Sequence, residues 1–249
     1  MLTHENNRKI TRQVEDALNY MAKVGFISKS VWRDYFSKGS IRWSNMQLKK
    51  LVEMNILAPH PCKEVENIWV LGKLIRKKFE AKNIITVYPP FANQLDHDEA
   101  VAAGVLRLYK NKFCIDWSSE LEIKMYQAIA DGKSSRANNQ KYPDALLRLP
   151  SDDGNNLLAI EYEKNPKSHT RYQEILRNYM VNFDIQRVLY IAETKTLANT
   201  ILRYIDKMRS TILDEKIYVC LADNWKENPL ELAIWNNSKR TKLNKIFTK

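Results

Sequence analysis

The sequence predicts an α/β protein, a mixed sheet flanked by helices and preceded by a small winged helix-turn-helix domain. Three observations predict it. Beyond residue 94, strand-like and helix-like segments alternate, which argues for helices packed on both faces of one sheet. Before residue 83, three apolar patterns at helical spacing lead into a short β-type segment. Between the two, "ITVYPPFANQ" supplies a Pro-Pro break. The expected division is a first domain over 1–82, a linker over 83–94 and a second domain over 95–249 with a basic C-terminal tail. A chain of 249 residues has room for one large core or two smaller ones.

In the first domain Val14, Ala17, Leu18, Met21 and Val24 recur at helical spacing, "SKSVWRDYFSK" reads as a short second helix, and a third runs from Ile41 to about Asn55. Gly25 and Gly39 are the expected stops. "ENIWVLGK" then reads as a strand, which completes the order of a winged helix. On the third helix Leu48, Leu51 and Val52 share one face, while Arg42, Asn45 and Lys49 fall on the opposite one, with Lys50 beside them. Arg suits guanine, Asn suits adenine and Lys neutralises phosphate, so this face is a candidate for the major groove, against the plainer alternative of a solvated helix face.

The second domain reads as a helix near 96–110, a strand "KFCI", a helix from Ser119, strands "YPDALLRL" and "NLLAIEYE" about a hydrophilic turn, a helix near 169–183, a strand "RVLYIAE", a helix near 196–209 and a strand "IYVCLA". The closing "NNSKRTKLNKIFTK" holds five basic residues and no acid, and reads as a surface tail or helix able to touch phosphate.

Composition narrows the function. Forty Lys/Arg against 29 Asp/Glu give a formal charge of +11, which points to polyanionic partners. Residues 1–80 hold 15 of these bases and 8 of the acids, so positive charge is densest in the first third. Cys62, Cys114 and Cys220 are odd in number and lack CxxC spacing, which speaks against a disulfide framework or a zinc finger. The opening residues lack the apolar core of a secretory signal and no apolar run approaches membrane-spanning length, so a cytoplasmic protein is expected.

Two strands carry acids where a buried strand favours Val or Leu. Alternation puts Glu161 and Glu163 on one face, about 7 Å apart, a repulsive arrangement unless a cation separates them. Asp144 on the neighbouring strand can lie beside them, with Lys164 or Lys167 close behind. Three convergent carboxylates form an oxygen site suited to Mg²⁺ or Mn²⁺, and such a site supports phosphodiester cleavage by metal-activated water. The plainer alternative is an exposed acidic strand face with Asp144 ending a turn after Pro143.

"PDALLRL" and "LLAIEYEK" resemble the PD-(D/E)xK nuclease superfamily, and four blocks in order, "LDHDEA", "WSSELEIK", "YPDA" and "IEYEKNPKSHTRY", are similar to the replication-relaxation group and the MOBC-class (MobC-type) plasmid relaxases. The resemblance implies a restriction-endonuclease-like fold in a bacterial protein. It assigns Asp144 and Glu161 as metal-binding acids, and Glu163 stands in the usual lysine slot, an ExE variant that leaves open whether Lys164 or Lys167 faces the phosphate. Glu120 matches the helix-borne acid of the superfamily, although a helix-first-turn acid favoured by the dipole fits equally. His97 and Asp98 match a supporting or substrate-facing motif; from the residues alone, Asp98 as an N-cap and an incidental His97 fit better. His169 is placed to meet phosphate or solvent.

The implied function is site- and strand-specific nicking of DNA at an origin of transfer, with a coupling protein and an accessory relaxosome protein as further partners. The alternatives are a restriction- or repair-type endonuclease and a non-catalytic DNA-binding regulator of plasmid replication or transcription. The tyrosine mechanism of the commoner relaxases needs a three-histidine metal site, yet His4, His60, His97 and His169 are widely spaced. Tyr172 follows the motif, but it shares an apolar stripe with Ile175, Leu176, Tyr179 and Phe183 and reads as a core residue.

Overall fold

The computed structural model describes residues 10–37, 39–62, 65–132, 141–151 and 156–246. The chain divides into two compact units, Met1–Asp96 with Leu121–Asn138, and His97–Glu120 with Asn139–Lys249.

In the first unit, helix α1 (Arg12–Val24) is capped by the Thr11 hydroxyl, which accepts from the Val14 N–H. It ends where Gly25 takes φ 90° and returns its N–H to the Met21 carbonyl. Strand β1 (Ile27–Ser28) leads into the single turn α2 (Lys29–Val31), which widens into a five-residue π-helical segment, Trp32–Phe36, where the sequence predicts ordinary helix. Helix α3 (Ile41–Glu53) is capped by Ser40 and buries Ser44, Leu48 and Leu51. Strands β2 (Leu57–Pro59) and β3 (Ile68–Leu71) complete an antiparallel sheet in the order β1-β3-β2, followed by helix α4 (Lys73–Glu80).

The second unit is built on a mixed seven-stranded sheet. Its strands are β4 (Asp116–Ser119), β5 (Ala145–Arg148), β6 (Leu157–Glu163), β7 (Ile185–Ala192), β8 (Ile217–Leu221), β9 (Ala233–Trp235) and β10 (Arg240–Lys242), and they stand side by side in reverse chain order. Helix α5 (Leu95–Lys110) precedes β4; helix α6 (Glu120–Ala130) follows it in the chain, and from Leu121 onward belongs to the first unit. Among the described strands β6–β7 and β7–β8 are the parallel pairs, and their crossovers are α7 (His169–Val181), and α8 (Lys195–Lys207) with α9 (Thr211–Lys216). A last helix, α10 (Leu243–Ile246), closes the described chain.

Period-two alternation sorts the sheet's residues onto two faces. Ala159, Val188, Tyr190, Ala192, Ile217 and Val219 pack under α7, α8 and α9. Leu158, Ile160, Leu189 and Ile191 are buried on the other face, where the His97 ring of α5 meets the Tyr162 ring edge-on. Lys216 on α9 donates to the Tyr179 and Asn182 carbonyls at 2.8 and 2.5 Å, which fixes the C-terminal end of α7.

Four expectations are corrected. "KFCI" is not a strand: Lys112 takes φ 60° and the Phe113 N–H bonds back to the Leu108 carbonyl, so this stretch terminates α5 and pairing starts at Asp116. The basic end is not a plain tail, because Arg240–Lys242 pairs with Ala233–Trp235, a hairpin the sequence did not announce. Phe183 leaves the apolar stripe of α7 and is 77% exposed, since Asn182 ends the helix in an extended conformation. Asp98 does not cap a helix, as α5 already begins at Leu95. The hydrophilic turn between β5 and β6 falls partly on 152–155, and the tail's end on 247–249, outside the described residues. No helix among the described residues is long and apolar enough to cross a membrane.

Gly104 gives α5 room for the fully buried Trp225, whose indole N–H donates to the Ala100 carbonyl at 2.9 Å. A Cβ at Gly104 would stand 2.1 Å from Trp225 Cε2. Gly104→Ala is therefore expected to destabilise the protein by roughly 2 kcal/mol through overpacking. Urea unfolding measures this, and the same change in a Trp225→Leu background is expected to be milder.

Candidate active site

The site follows from strand register. Ala145 pairs with Ser119 on one side and Ile160 on the other, so the next residues along, Glu120, Asp144 and Glu161, face one another across β4, β5 and β6. Directly opposed residues project to the same face of a sheet. The Glu120 N–H donates to the Asp144 carbonyl at 3.0 Å, and the Tyr162 N–H donates to Asp144 Oδ2 at 2.7 Å. On the far side Glu161 lies beside Tyr190 of β7.

Glu161 is fully buried and the Asp144 side chain is 9% exposed, and the two hold one cation between them. Lys141 Nζ is 3.1 Å from Asp144 Oδ1 and 3.1 Å from Glu161 Oε2. The Asp144 contact is a hydrogen bond; among the described residues Glu161 Oε2 is buried and accepts no hydrogen bond, and its contact with Lys141 is an ion pair. Glu161 Oε1 accepts from the Tyr179 hydroxyl at 2.5 Å. Among the described residues the buried Tyr190 hydroxyl has no hydrogen-bond partner.

Environment drives the two carboxyls apart. Burial raises Glu161, and with Asp144 close by it outweighs Lys141 and Tyr179, so the carboxyl is pushed up to about 7. Burial pushes Asp144 the same way but loses to His97, Lys141 and the Tyr162 N–H, which hold it well below the usual carboxylate range. For Lys141, burial opposes the charge, but Glu161, Asp144 and Glu120 raise its affinity for the proton above the ordinary lysine value.

Of the other expected residues, Glu163 shares the face of Glu161, and its Oε1 accepts from Lys167. The expected convergence of three carboxylates is thus not formed. Among the described residues no group of three or more His, Cys, Asp or Glu side chains is arranged to hold a metal ion. The turn after β6 brings Lys167 to Glu163, whereas Lys164 lies beyond the strand, half-buried, with no ion pair among the described residues. Glu120, at the head of α6, is half-buried and acts on Lys141 through its charge. Tyr172 is fully buried and stacks on Tyr204 at 4.9 Å, and exposed His169 packs its ring on Tyr204 at 5.2 Å. Burial lifts the Tyr172 phenol to about 12. In the first unit Arg42, Asn45 and Lys49 are exposed along α3, Lys49 lying 3.9 Å from Glu53. Lys50 is exposed on the next face, beside a cavity of 560 Å³ lined also by Trp43, Met46 and Val14.

Two residues escaped the sequence reading. Lys141 stands three positions before Asp144 in "KYPD", and that spacing was its only signal. Tyr179 was read as core, and nothing in the sequence marks its hydroxyl as the donor to Glu161.

No family model matches the chain, and no curated protein does. Among solved structures the chain is similar to that titled "Structure of SdaI restriction endonuclease", at 11% sequence identity and a TM-score of 0.32, over 96% of this chain and 92% of that chain. A likeness of that size does not define a fold, and the site stands on its own geometry.

His97 braces the site from the other sheet face. Its Nδ1 is 3.0 Å from Asp98 Oδ1, and its Nε2 is 3.1 Å from the Tyr162 carbonyl and 3.5 Å from Asp144 Oδ2. Acceptors on both nitrogens define an imidazolium. Burial favours the neutral ring, but Asp144 and Asp98 prevail and raise the pKa to about 10. Between pH 6.5 and 10 the folded chain then keeps a proton that the unfolded chain has lost. This contribution is complete below pH 6.5 and disappears as pH rises to 10. Urea titrations from pH 7 to 10 are expected to show a loss on the order of 3 kcal/mol in the native protein, and a much flatter profile in His97→Gln.

Proposed function

We propose that this chain is a metal-dependent DNA endonuclease and that it acts as a relaxase, nicking one strand at an origin of transfer in plasmid mobilisation. The observation that carries the cleavage chemistry is the acid pair of buried Glu161 and half-buried Asp144, opposed across β5 and β6 with an ammonium 3.1 Å from each. The strand-nicking biology rests on the four sequence blocks that resemble the replication-relaxation group, which also imply a coupling protein and an accessory relaxosome protein as partners.

The donor set suits a hard divalent cation. Mg²⁺ and Mn²⁺ take oxygen ligands, and Mg²⁺ is commonly held by one or two carboxylates together with waters and substrate phosphate. Among the described residues Glu161 Oε2 is a buried acceptor without a hydrogen bond, a further fit to such an ion. Asp144 and Glu161 would hold it, and when bound it would polarise the phosphoryl group and furnish hydroxide from water near neutral pH. In the overall hydrolysis the oxygen of water bonds to phosphorus, one P–O ester bond breaks, water gives up a proton and the leaving oxygen gains one. The chain's own groups orient the acids: the Tyr162 N–H and His97 fix Asp144, while the Tyr179 hydroxyl fixes Glu161. Lys167 pairs with Glu163.

The winged-helix reading of the first unit is supported by its helix order and antiparallel β1-β3-β2 sheet. Arg42, Asn45 and Lys49 present the outward face suited to a major groove, and Lys50 adds charge beside them.

Supercoiled plasmid carrying the cognate origin tests the reading. Wild-type protein with Mg²⁺ or Mn²⁺ is expected to give open circles, stopped by EDTA. Asp144→Ala and Glu161→Ala are expected to lose at least about 100-fold in rate with DNA binding intact; Glu163→Ala, expected from the motif to be as severe, measures what its pairing with Lys167 contributes. Linear product would move the reading to a restriction- or repair-type enzyme. A nicked strand whose mobility shifts after protease digestion, with the shift lost in one Tyr→Phe variant, would replace hydrolysis by tyrosine attack; Tyr172→Phe is expected to nick normally.

Binding provides a separate check. Arg42→Ala/Asn45→Ala/Lys49→Ala is expected to weaken specific binding in a mobility-shift titration, and loss of a Lys49 phosphate contact to reduce the salt slope by about one unit. Unchanged binding would remove α3 as the recognition helix.

A further inference from the structure

The cation between Asp144 and Glu161 comes from outside the acidic strand. Glu161 has no exposed surface, and a carboxylate so enclosed needs a compensating cation. Neither lysine after β6 provides it: Lys167 is bound to Glu163, and Lys164 forms no ion pair among the described residues. In the motif's lysine slot stands Glu163 itself. The compensating group is Lys141, in ion-pair contact with both acids and 15% exposed, so that it retains a way out to solvent. A divalent cation ligated by the same two oxygens, at about 2.1 Å from each, could not share that space with an ammonium, which would be a like charge at close range.

We propose that Lys141 is the catalytic lysine of this site: it rests as the counter-ion between Asp144 and Glu161, yields that place to a divalent cation, and then meets a non-bridging oxygen of the scissile phosphate. The proposal rests on the cleavage reading above and adds to it the residue that replaces the motif lysine. It gives one substitution two effects of opposite sign. Removing the ammonium removes a competitor, so divalent binding strengthens; it also removes a donor to the developing negative charge, so cleavage slows. A merely structural ion pair would weaken both together.

The test uses full-length wild type, Lys141→Gln and Lys141→Arg. Mn²⁺ is titrated calorimetrically without DNA, and nicking of origin plasmid is then measured at saturating Mn²⁺. Lys141→Gln is expected to bind Mn²⁺ about tenfold more tightly and to nick at least about 100-fold more slowly. Lys141→Arg is expected to return Mn²⁺ affinity towards the wild-type value and restore part of the cleavage. Equal or weaker Mn²⁺ binding by a folded Lys141→Gln, or wild-type cleavage by it, would overturn the proposal.

If circular dichroism shows that Lys141→Gln does not fold, ¹⁵N-lysine spectra of wild type decide the matter, with the Lys141 ammonium signal assigned through Lys141→Arg. Saturating Mg²⁺ is expected to shift or remove that signal, and an unmoved signal overturns the proposal. Tighter Mn²⁺ binding by Lys141→Gln with no nicking by wild type would instead overturn the cleavage reading and the phosphate contact, leaving the counter-ion role. Absence of divalent binding by every variant would overturn the proposal and the metal site together.

Discussion

The antiparallel register of β5 on β6 is the constraint on which the rest of the site depends. Ala145 opposite Ile160 puts Asp144 opposite Glu161, and the Tyr162 N–H closes onto the Asp144 carboxylate at 2.7 Å. A slip of one residue would send Asp144 to the face of Ile160 and Tyr162. Buried apolar residues on both faces of β6 oppose such a slip: Leu158 and Ile160 fill one side and Ala159 the other. Packing that looks purely structural therefore sets the chemistry of the acid pair.

The same pair shows how position decides a carboxyl's character. Asp144 has a backbone donor, an imidazolium and an ammonium, and burial cannot keep it protonated. Glu161 has one phenol and a share of the same ammonium, and burial pushes its carboxyl up to about 7. Two acids on adjacent strands thus differ widely in their hold on a proton, an asymmetry that suits a site handling protons. The aromatic surroundings reinforce it, since Tyr179 and Tyr190 are themselves held well above ordinary phenol values by burial and by the charge of Glu161.

Much of this was legible in the sequence where periodicity is strong. "LLAIEYE" announced both a strand and the common face of Glu161 and Glu163, because alternation needs no tertiary information. The helices over Val14–Val24, Ile41–Glu53 and Tyr172–Tyr179 were readable for the same reason. Lys141 was not, since its role depends on two strands meeting and on a turn that carries no pattern. Glu163 was legible as a position but not as a partner of Lys167, because the turn at Pro166 decides where that lysine goes. The β9–β10 hairpin escaped because three-residue strands are too short for a periodic signal and Arg240 and Lys242 read as a solvated tail.

That hairpin also governs how the sheet ends. At the β10 end of the strand order, the last rung is only three residues long and carries exposed Arg240 and Lys242, with Lys242 joined to Glu231. A bare sheet edge invites strand addition from another molecule and, at high concentration, aggregation. Arg240 on so short a strand, beside a lysine already held by Glu231, discourages a second copy from pairing there. The segment that resembled a basic tail thus contributes to colloidal stability, and neutralising it would reduce the protein's solubility well before affecting its folding.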